Sequence, residues 1–143
     1  MENKRENSVL IPCKINDGNL FVYLQKRSKN ATRLPDYFGL WGGGIEEGEN
    51  PEQALVREVK EELEIDLDIK QVKFLSRYEN LRAIKYAYLL EVSDGWEETV
   101  VVKEGDYGKW FPVDEVFGLN NLTFADKNVL NDLERMLLNK PIR

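Results

Sequence analysis

Hydrophobic positions gather early in the chain. VLIPCKI (9–15) and LFVYLQK (20–26) are apolar runs of strand length, and both predict β-strands. Asn16-Asp17-Gly18-Asn19 between them is a strong turn signal, so the two are expected to pair as a hairpin. Ahead of them MENKREN (1–7) is polar throughout and is expected to be frayed. Residues 27–41 carry Pro35 and scattered aromatics without a period, and are expected to form one long loop into Gly42-Gly43-Gly44. From Pro51 the spacing becomes helical: Leu55, Val59 and Leu63 recur every four residues. Asn50 suits the N-cap, Pro51 the first turn, and Gln53 completes a capping box. KQVKFLSRY (70–78) and AIKYAYLLEV (83–92) predict two more strands. A charged loop with Gly95, Gly105 and Gly108 leads to Trp110-Phe111, and 112–117 predicts a short helical turn. The last helix is predicted over 124–138, with Leu130, Leu133, Leu137 and Leu138 inward. There is no repeat, low-complexity tract or linker. The order strands, helix, strands, helix predicts one α+β domain over 1–143, layered as an α/β/α sandwich.

Composition narrows the chemistry. The chain is 42% hydrophobic and 32% charged, which fits a globular domain with a real core. Its net charge of −6 lacks the basic face of a general nucleic-acid binder, so no extended nucleic acid is expected as a partner. There is no histidine, which removes Ser-His-Asp and Cys-His catalysis and any His-ligated zinc. The single cysteine, Cys13, sits in SVLIPCKI, where a buried inert thiol is expected over a reactive one. A metal, if used, must therefore sit on oxygen ligands: magnesium, manganese or calcium. No apolar segment is long enough to span a membrane and no leader pattern is present, so a soluble cytoplasmic protein is expected.

The predicted helix over 51–63 poses the central problem. REVKEELE (57–64) holds four glutamates, and Glu58, Glu61 and Glu62 fall on one sector beside the Leu55–Val59–Leu63 stripe. Like charges at these spacings cost about 0.2–0.5 kcal/mol per pair even in solvent. At the edge of a core they need a countercharge, and Arg57 supplies only part of it. A hard divalent cation would supply the rest. The preceding glycines let the backbone come close enough to expose carbonyls or amides, as a phosphate or metal site needs.

These residues resemble the Nudix box, G-x5-E-x7-R-E-U-x-E-E-x-G-U, with U a bulky aliphatic residue. Gly43, Glu49, Arg57, Glu58, Val59, Glu61, Glu62 and Ile65 fit it. Six single-letter matches at fixed spacing arise by chance on the order of 10⁻⁷ per start. The late glycine of the box is Glu64 here. Glycine serves a left-handed turn at that point, so Glu64 puts the local geometry in doubt more than the chemistry.

The resemblance implies the Nudix fold, a mixed sheet between helices. It implies Glu58, Glu61 and Glu62 as metal carboxylates, with Gly42 offering its carbonyl, magnesium as the cofactor and manganese as the alternative. Arg57 would orient a glutamate, and Glu49 would brace the loop onto the helix. KEGDYGKW (103–110) is similar to the K-E-G-x-x-G-x-W loop of MutT-like members, which makes Glu104 a candidate metal ligand or general base. Glu97, Glu98 and Asp106 are its competitors. Arg27 stands where such proteins place a substrate-contacting arginine. Of Tyr37, Phe38 and Trp41 one is a candidate to stack on a base, or all are core, with Phe38 favouring the core, and Asp126 is a candidate base reader. The implied activity is a pyrophosphohydrolase that cuts nucleoside triphosphates, ordinary or oxidised, into a monophosphate and pyrophosphate. ADP-ribose, dinucleoside polyphosphates and a non-catalytic nucleotide-sensing role are the alternatives. A monomer or homodimer is expected.

Overall fold

The structure, a computed structural model, describes residues 4–139. In chain order its elements are β1 (Arg5–Asn16), β2 (Asn19–Lys26), β3 (Phe38–Gly39), β4 (Trp41–Gly44), α1 (Pro51–Leu63), β5 (Lys73–Glu79), β6 (Ala83–Glu91), β7 (Tyr107–Pro112), α2 (Val113–Val116) and α3 (Phe124–Leu138). β1 is the spine of a mixed sheet. One edge pairs in parallel with β6 along most of its length. The other edge is shared: its far end forms the hairpin with β2, and its near end pairs antiparallel with β4. β2 in turn carries β3 and β7, and β6 carries β5.

This sharing corrects two sequence-based expectations. Arg5–Asn7 are not frayed, because they pair with Ala83–Lys85, and Asn7 also pairs with Gly44. The segment 27–41 is not one loop, because β3 lies within it and β4 begins at its end. Both short strands answer partners distant in sequence, which local periodicity does not register. Residues 1–3, in the stretch expected to fray, lie outside the described residues. A third correction is small. Ile69–Gln71 make a 3-10 turn capped by Asp68, so the strand expected from residue 70 begins at Lys73.

Strand alternation explains why VLIPC reads as a continuous apolar run: the sheet is covered on both faces. Val9, Ile11, Cys13, Leu20, Val22, Leu24, Ala87 and Leu89 face α2 and α3, where Val129, Leu130 and Leu133 close the core. Leu10, Tyr23, Tyr88 and Leu90 face α1 through Leu55, Val59 and Leu63. Each of those three α1 side chains is fully buried and contributes about 1.5–3 kcal/mol. Leu137 and Leu138, expected inward, are partly buried against the α3 side of the core. Among the described residues no helix is long and apolar enough to cross a membrane.

The helix carrying the acidic cluster is well anchored. Asn50 and Gln53 exchange both capping-box bonds, at 2.8 and 2.9 Å. Ser8, buried in β1, donates its hydroxyl to the Pro51 carbonyl at 2.7 Å and ties the helix start to the sheet. Glu64 ends the helix at φ 57, ψ 34, the left-handed conformation for which the box uses glycine. A side chain there costs about 1–2 kcal/mol, and its pair with Lys103 at 3.5 Å is too exposed to offset that. Glu64→Gly is therefore expected to raise unfolding stability by about 1 kcal/mol, readable as a higher urea midpoint at unchanged slope. An unchanged or lower midpoint would show that Glu64 makes a compensating contact.

Burial pushes the Cys13 thiol up to about 12, in line with the inert reading. Thiol reagents are expected to leave it unlabelled at pH 8 until the chain unfolds. Above about pH 9 the unfolded chain loses a proton that the folded chain keeps, so stability should decline as pH rises toward 12. Rapid native-state labelling would contradict this.

Candidate active site

Glycines decide where the β4 turn can go. Gly42 sits at φ 129, and a Cβ there would lie 2.0 Å from the Ser8 carbonyl oxygen. At Gly43 a Cβ would fall 2.7 Å from the Glu58 carboxyl carbon. The missing side chains let β4 lie against both β1 and the acidic edge of α1. The Gly42 amide then donates to Glu62 Oε1 at 2.7 Å.

The box carboxylates differ in environment along the helix. Glu62 is 4% exposed, the Glu58 side chain 14% and the Glu61 side chain 57%. This gradient corrects the expectation that all three lie at the edge of the core: Glu61 stands at the solvent rim, 3.4 Å from Arg57. Burial, more than any neighbour, pushes the Glu62 carboxyl up to about 9, and a hydrogen bond with Glu104 adds to it. Glu58 is also raised by burial, against the pull of Arg57. The charges of Glu61 and Glu104 raise Glu58 further.

Arg57 organises the surroundings. Its guanidinium forks onto Glu49, with Nε–Oε2 at 2.9 Å and Nη2–Oε1 at 3.0 Å. It also donates to Glu58 at 2.9 Å and to the Gly44 carbonyl at 2.8 Å. Glu49 in turn accepts the Glu46 amide at 2.9 Å, so the acidic loop is braced onto the helix as expected. The hydrogen bonds that Arg57 donates hold Glu49 below the usual carboxylate range, and acceptance by Glu49 raises Arg57.

Glu104 arrives from the loop before β7. That loop is strapped to the carbonyls at the end of α1, with Val101 N–Leu63 O at 3.0 Å and Lys103 N–Glu62 O at 2.8 Å. A cavity of about 320 Å³ opens beside it, lined by Glu62, Glu104, Gly42, Gln25, Arg27 and Leu40 among others. Of the four acids weighed for this loop, Glu104 alone lines it. Glu97 is turned away to accept the Trp110 indole at 2.9 Å. Arg27 lines the same cavity, its Nε tied to the Arg33 carbonyl at 2.9 Å.

The oxygen-only set of Glu58, Glu62 and Glu104 beside the Gly42 backbone suits a hard divalent cation. Its fit rests on charge: buried carboxylates side by side need a proton or a cation between them. Among the described residues the acids do not already converge as a finished coordination cage. Glu58 is held by Arg57, and Glu62 by Gly42.

Two candidates for base stacking are corrected. Trp41 is fully buried, lies 5.7 Å from Tyr23 in a stacked arrangement, and donates its indole N–H to the Tyr23 carbonyl at 2.9 Å. Phe38 is buried edge-on against Phe111, with centroids 4.8 Å apart. Neither presents a face to a ligand. Asp126 is 8% exposed and pairs with Lys85 at 2.9 Å. It lines a separate cavity of about 490 Å³ with Arg33, Leu34, Tyr78, Lys85 and Phe124. Sequence reasoning missed Lys85 and Gln25. Both had a signal: each is a polar residue in the inward register of its strand, two before Ala87 and two after Tyr23 respectively.

The family model for the NUDIX domain matches residues 4–133. Nucleoside triphosphatase NudI of Salmonella agona is 33% identical over 96 residues, 67% of this chain, and the chain spans about 62% of that relative's length. A MutT/nudix family protein from Enterococcus faecalis superposes with a TM-score of 0.79 at 16% identity, covering 98% of this chain and 64% of that one. The NUDIX domain of Shewanella oneidensis NrtR, solved with ADP ribose, gives 0.75 at 20% identity over 96% and 90% of the two chains. These two likenesses establish the fold, α+β with a mixed sheet between helices. With the box residues set along one helix beside the glycine turn and the family model spanning nearly all of its length, this chain belongs to the Nudix family.

Proposed function

We propose that this protein hydrolyses nucleoside triphosphates to a nucleoside monophosphate and pyrophosphate, with magnesium as its ion and manganese as a substitute. The carrying observation is that Glu62, Glu104 and Gly42 line one cavity with Arg27, and that Glu58 adjoins them against Gly43. The relative named as a nucleoside triphosphatase supports the choice of substrate. Glu58, Glu62 and Glu104 would hold the ion with the Gly42 carbonyl, and Glu61 would reach it from the rim. The bound ion supplies neutralisation of the phosphate oxygens and in-line alignment of a water. The chain's own residues do the rest. Arg57 keeps Glu58 oriented, and Glu49 keeps Arg57 in place. Arg27 contacts the phosphate chain. Glu104 takes the proton of the attacking water as the new P–O bond forms and the α–β anhydride bond breaks.

We assign the nucleoside to the second cavity, where Asp126 would accept from base N–H groups with Lys85 held beside it. Asp126→Ala is expected to raise KM about tenfold for the preferred nucleotide and leave kcat within twofold, since it removes binding away from the reacting phosphates. A kcat loss at constant KM would remove Asp126 from this role.

The test is a hydrolysis panel of ordinary and oxidised (d)NTPs, ADP-ribose and a dinucleoside polyphosphate with magnesium, products separated, and a chelated control. A monophosphate and pyrophosphate in equal amounts, lost on chelation, supports the reading. Turnover confined to ADP-ribose or a dinucleotide would replace the substrate. Nucleotide binding without turnover would replace the enzyme by a sensing domain.

A further inference from the structure

We infer that Gln25 is a positioning residue that sets the Glu104 loop at the reacting phosphates; this rests on the role proposed above for Glu104. Gln25 is 4% exposed and sits on the α1 face of β2, two residues beyond Tyr23. Its side-chain amide donates to the Glu104 backbone carbonyl at 2.9 Å, across 79 residues of sequence. The loop is anchored on either side of that point, by Lys103 N–Glu62 O at 2.8 Å and Asp106 N–Lys26 O at 2.8 Å. Between those anchors Glu104 and Gly105 bend over the cavity. Gly105 takes φ 83 and lies against Gln25 so closely that a Cβ there would fall 2.9 Å from Gln25 Cγ. The glutamine thus acts as a gauge: its length sets how far the loop stands from β2, and with it the reach of the Glu104 carboxylate toward Glu62.

A buried amide adds little net stability over an apolar side chain of the same shape. Leucine or methionine would serve the core as well at this register, on the same face as Tyr23. What an apolar side chain cannot do is fix the Glu104 carbonyl. Displacement of a catalytic group by about 1 Å costs up to a hundredfold in rate.

The experiment is a double-mutant cycle of Gln25→Met and Glu104→Gln, read by steady-state kinetics on the preferred triphosphate and by calorimetric titration of the nucleotide-free protein with manganous ion. Gln25→Met keeps length and bulk and removes the donor. It is expected to lower kcat about twentyfold with KM within twofold, and to weaken manganese binding about fivefold. In the Glu104→Gln background the same change is expected to add less than twofold, because the group it positions is already gone. Gln25→Asn keeps the amide but falls short of the carbonyl, and gives the same pattern if the methionine variant does not fold. Unaltered kcat in a folded Gln25 variant would overturn the inference, as would an equal loss with and without Glu104. Full activity of Glu104→Gln alone would instead overturn the underlying role of Glu104.

Discussion

Glu62→Gln is expected to cut turnover about a thousandfold and, in the metal-free protein, to leave the melting temperature unchanged or higher. Both effects have one cause. Glu62 is a desolvated carboxylate at 4% exposure, held by the Gly42 amide and facing Glu104. Glutamine is its near-isostere. Its carbonyl can still accept from Gly42, and its amide can donate to Glu104, where two carboxylates otherwise face one another. Folding then no longer has to protonate an acid in order to bury it, so the neutral near-isostere is expected to be neutral or stabilising. The function proposed for Glu62 needs the charge, because a neutral amide is a poor ligand for a hard cation. A thousandfold loss corresponds to about 4 kcal/mol of transition-state stabilisation, within reach of a lost metal carboxylate. Calorimetric melts with and without magnesium give the second arm: the ion should raise the wild-type melting temperature and leave Glu62→Gln unmoved. A variant keeping more than a tenth of its turnover would remove Glu62 from the proposed machinery.

Arg57→Ala is the second large effect, and it should damage stability and activity together. The guanidinium bridges Glu49, Glu58 and the Gly44 carbonyl, and its side chain is 24% exposed. Its removal leaves Glu58, with a side chain 14% exposed, facing Glu61 and Glu104 without a cation. Discounted for partial solvation, that loss is about 2 kcal/mol, or roughly 6 °C in melting temperature. Turnover should fall about a hundredfold, because Glu58 loses its orientation. Arg57→Lys should recover little, since one ammonium cannot reproduce the fork onto Glu49 while reaching Glu58. If lysine restored full activity, Arg57 would be supplying charge alone.

The legible part of this molecule was the part governed by local rules. The capping box at Asn50, the Leu55–Val59–Leu63 stripe, the hairpin turn and the limits of α3 depend on neighbours within a few residues, and each stood where the pattern put it. The box spacing belongs with them, because one helix fixes the relative placement of Arg57, Glu58, Glu61 and Glu62. The left-handed turn at Glu64 followed from the same local pattern, and it formed without the glycine.

Tertiary structure decided what the residues face. Trp41 and Phe38 carry the same aromatic signal in core or cleft, and only the packing of Tyr23 and Phe111 against them placed both in the core. Glu61 and Glu62 are adjacent and chemically identical. The approach of β4 and of the Glu104 loop buries one and leaves the other in solvent. Lys85 and Gln25 stood in inward registers, but their partners lie 41 and 79 residues away. A single sequence prescribes helices, turns and the order of acids along a helix because those are set by covalent spacing. Burial, and with it the charge state and chemistry of each acid, is set by chain segments that meet only when the sheet closes.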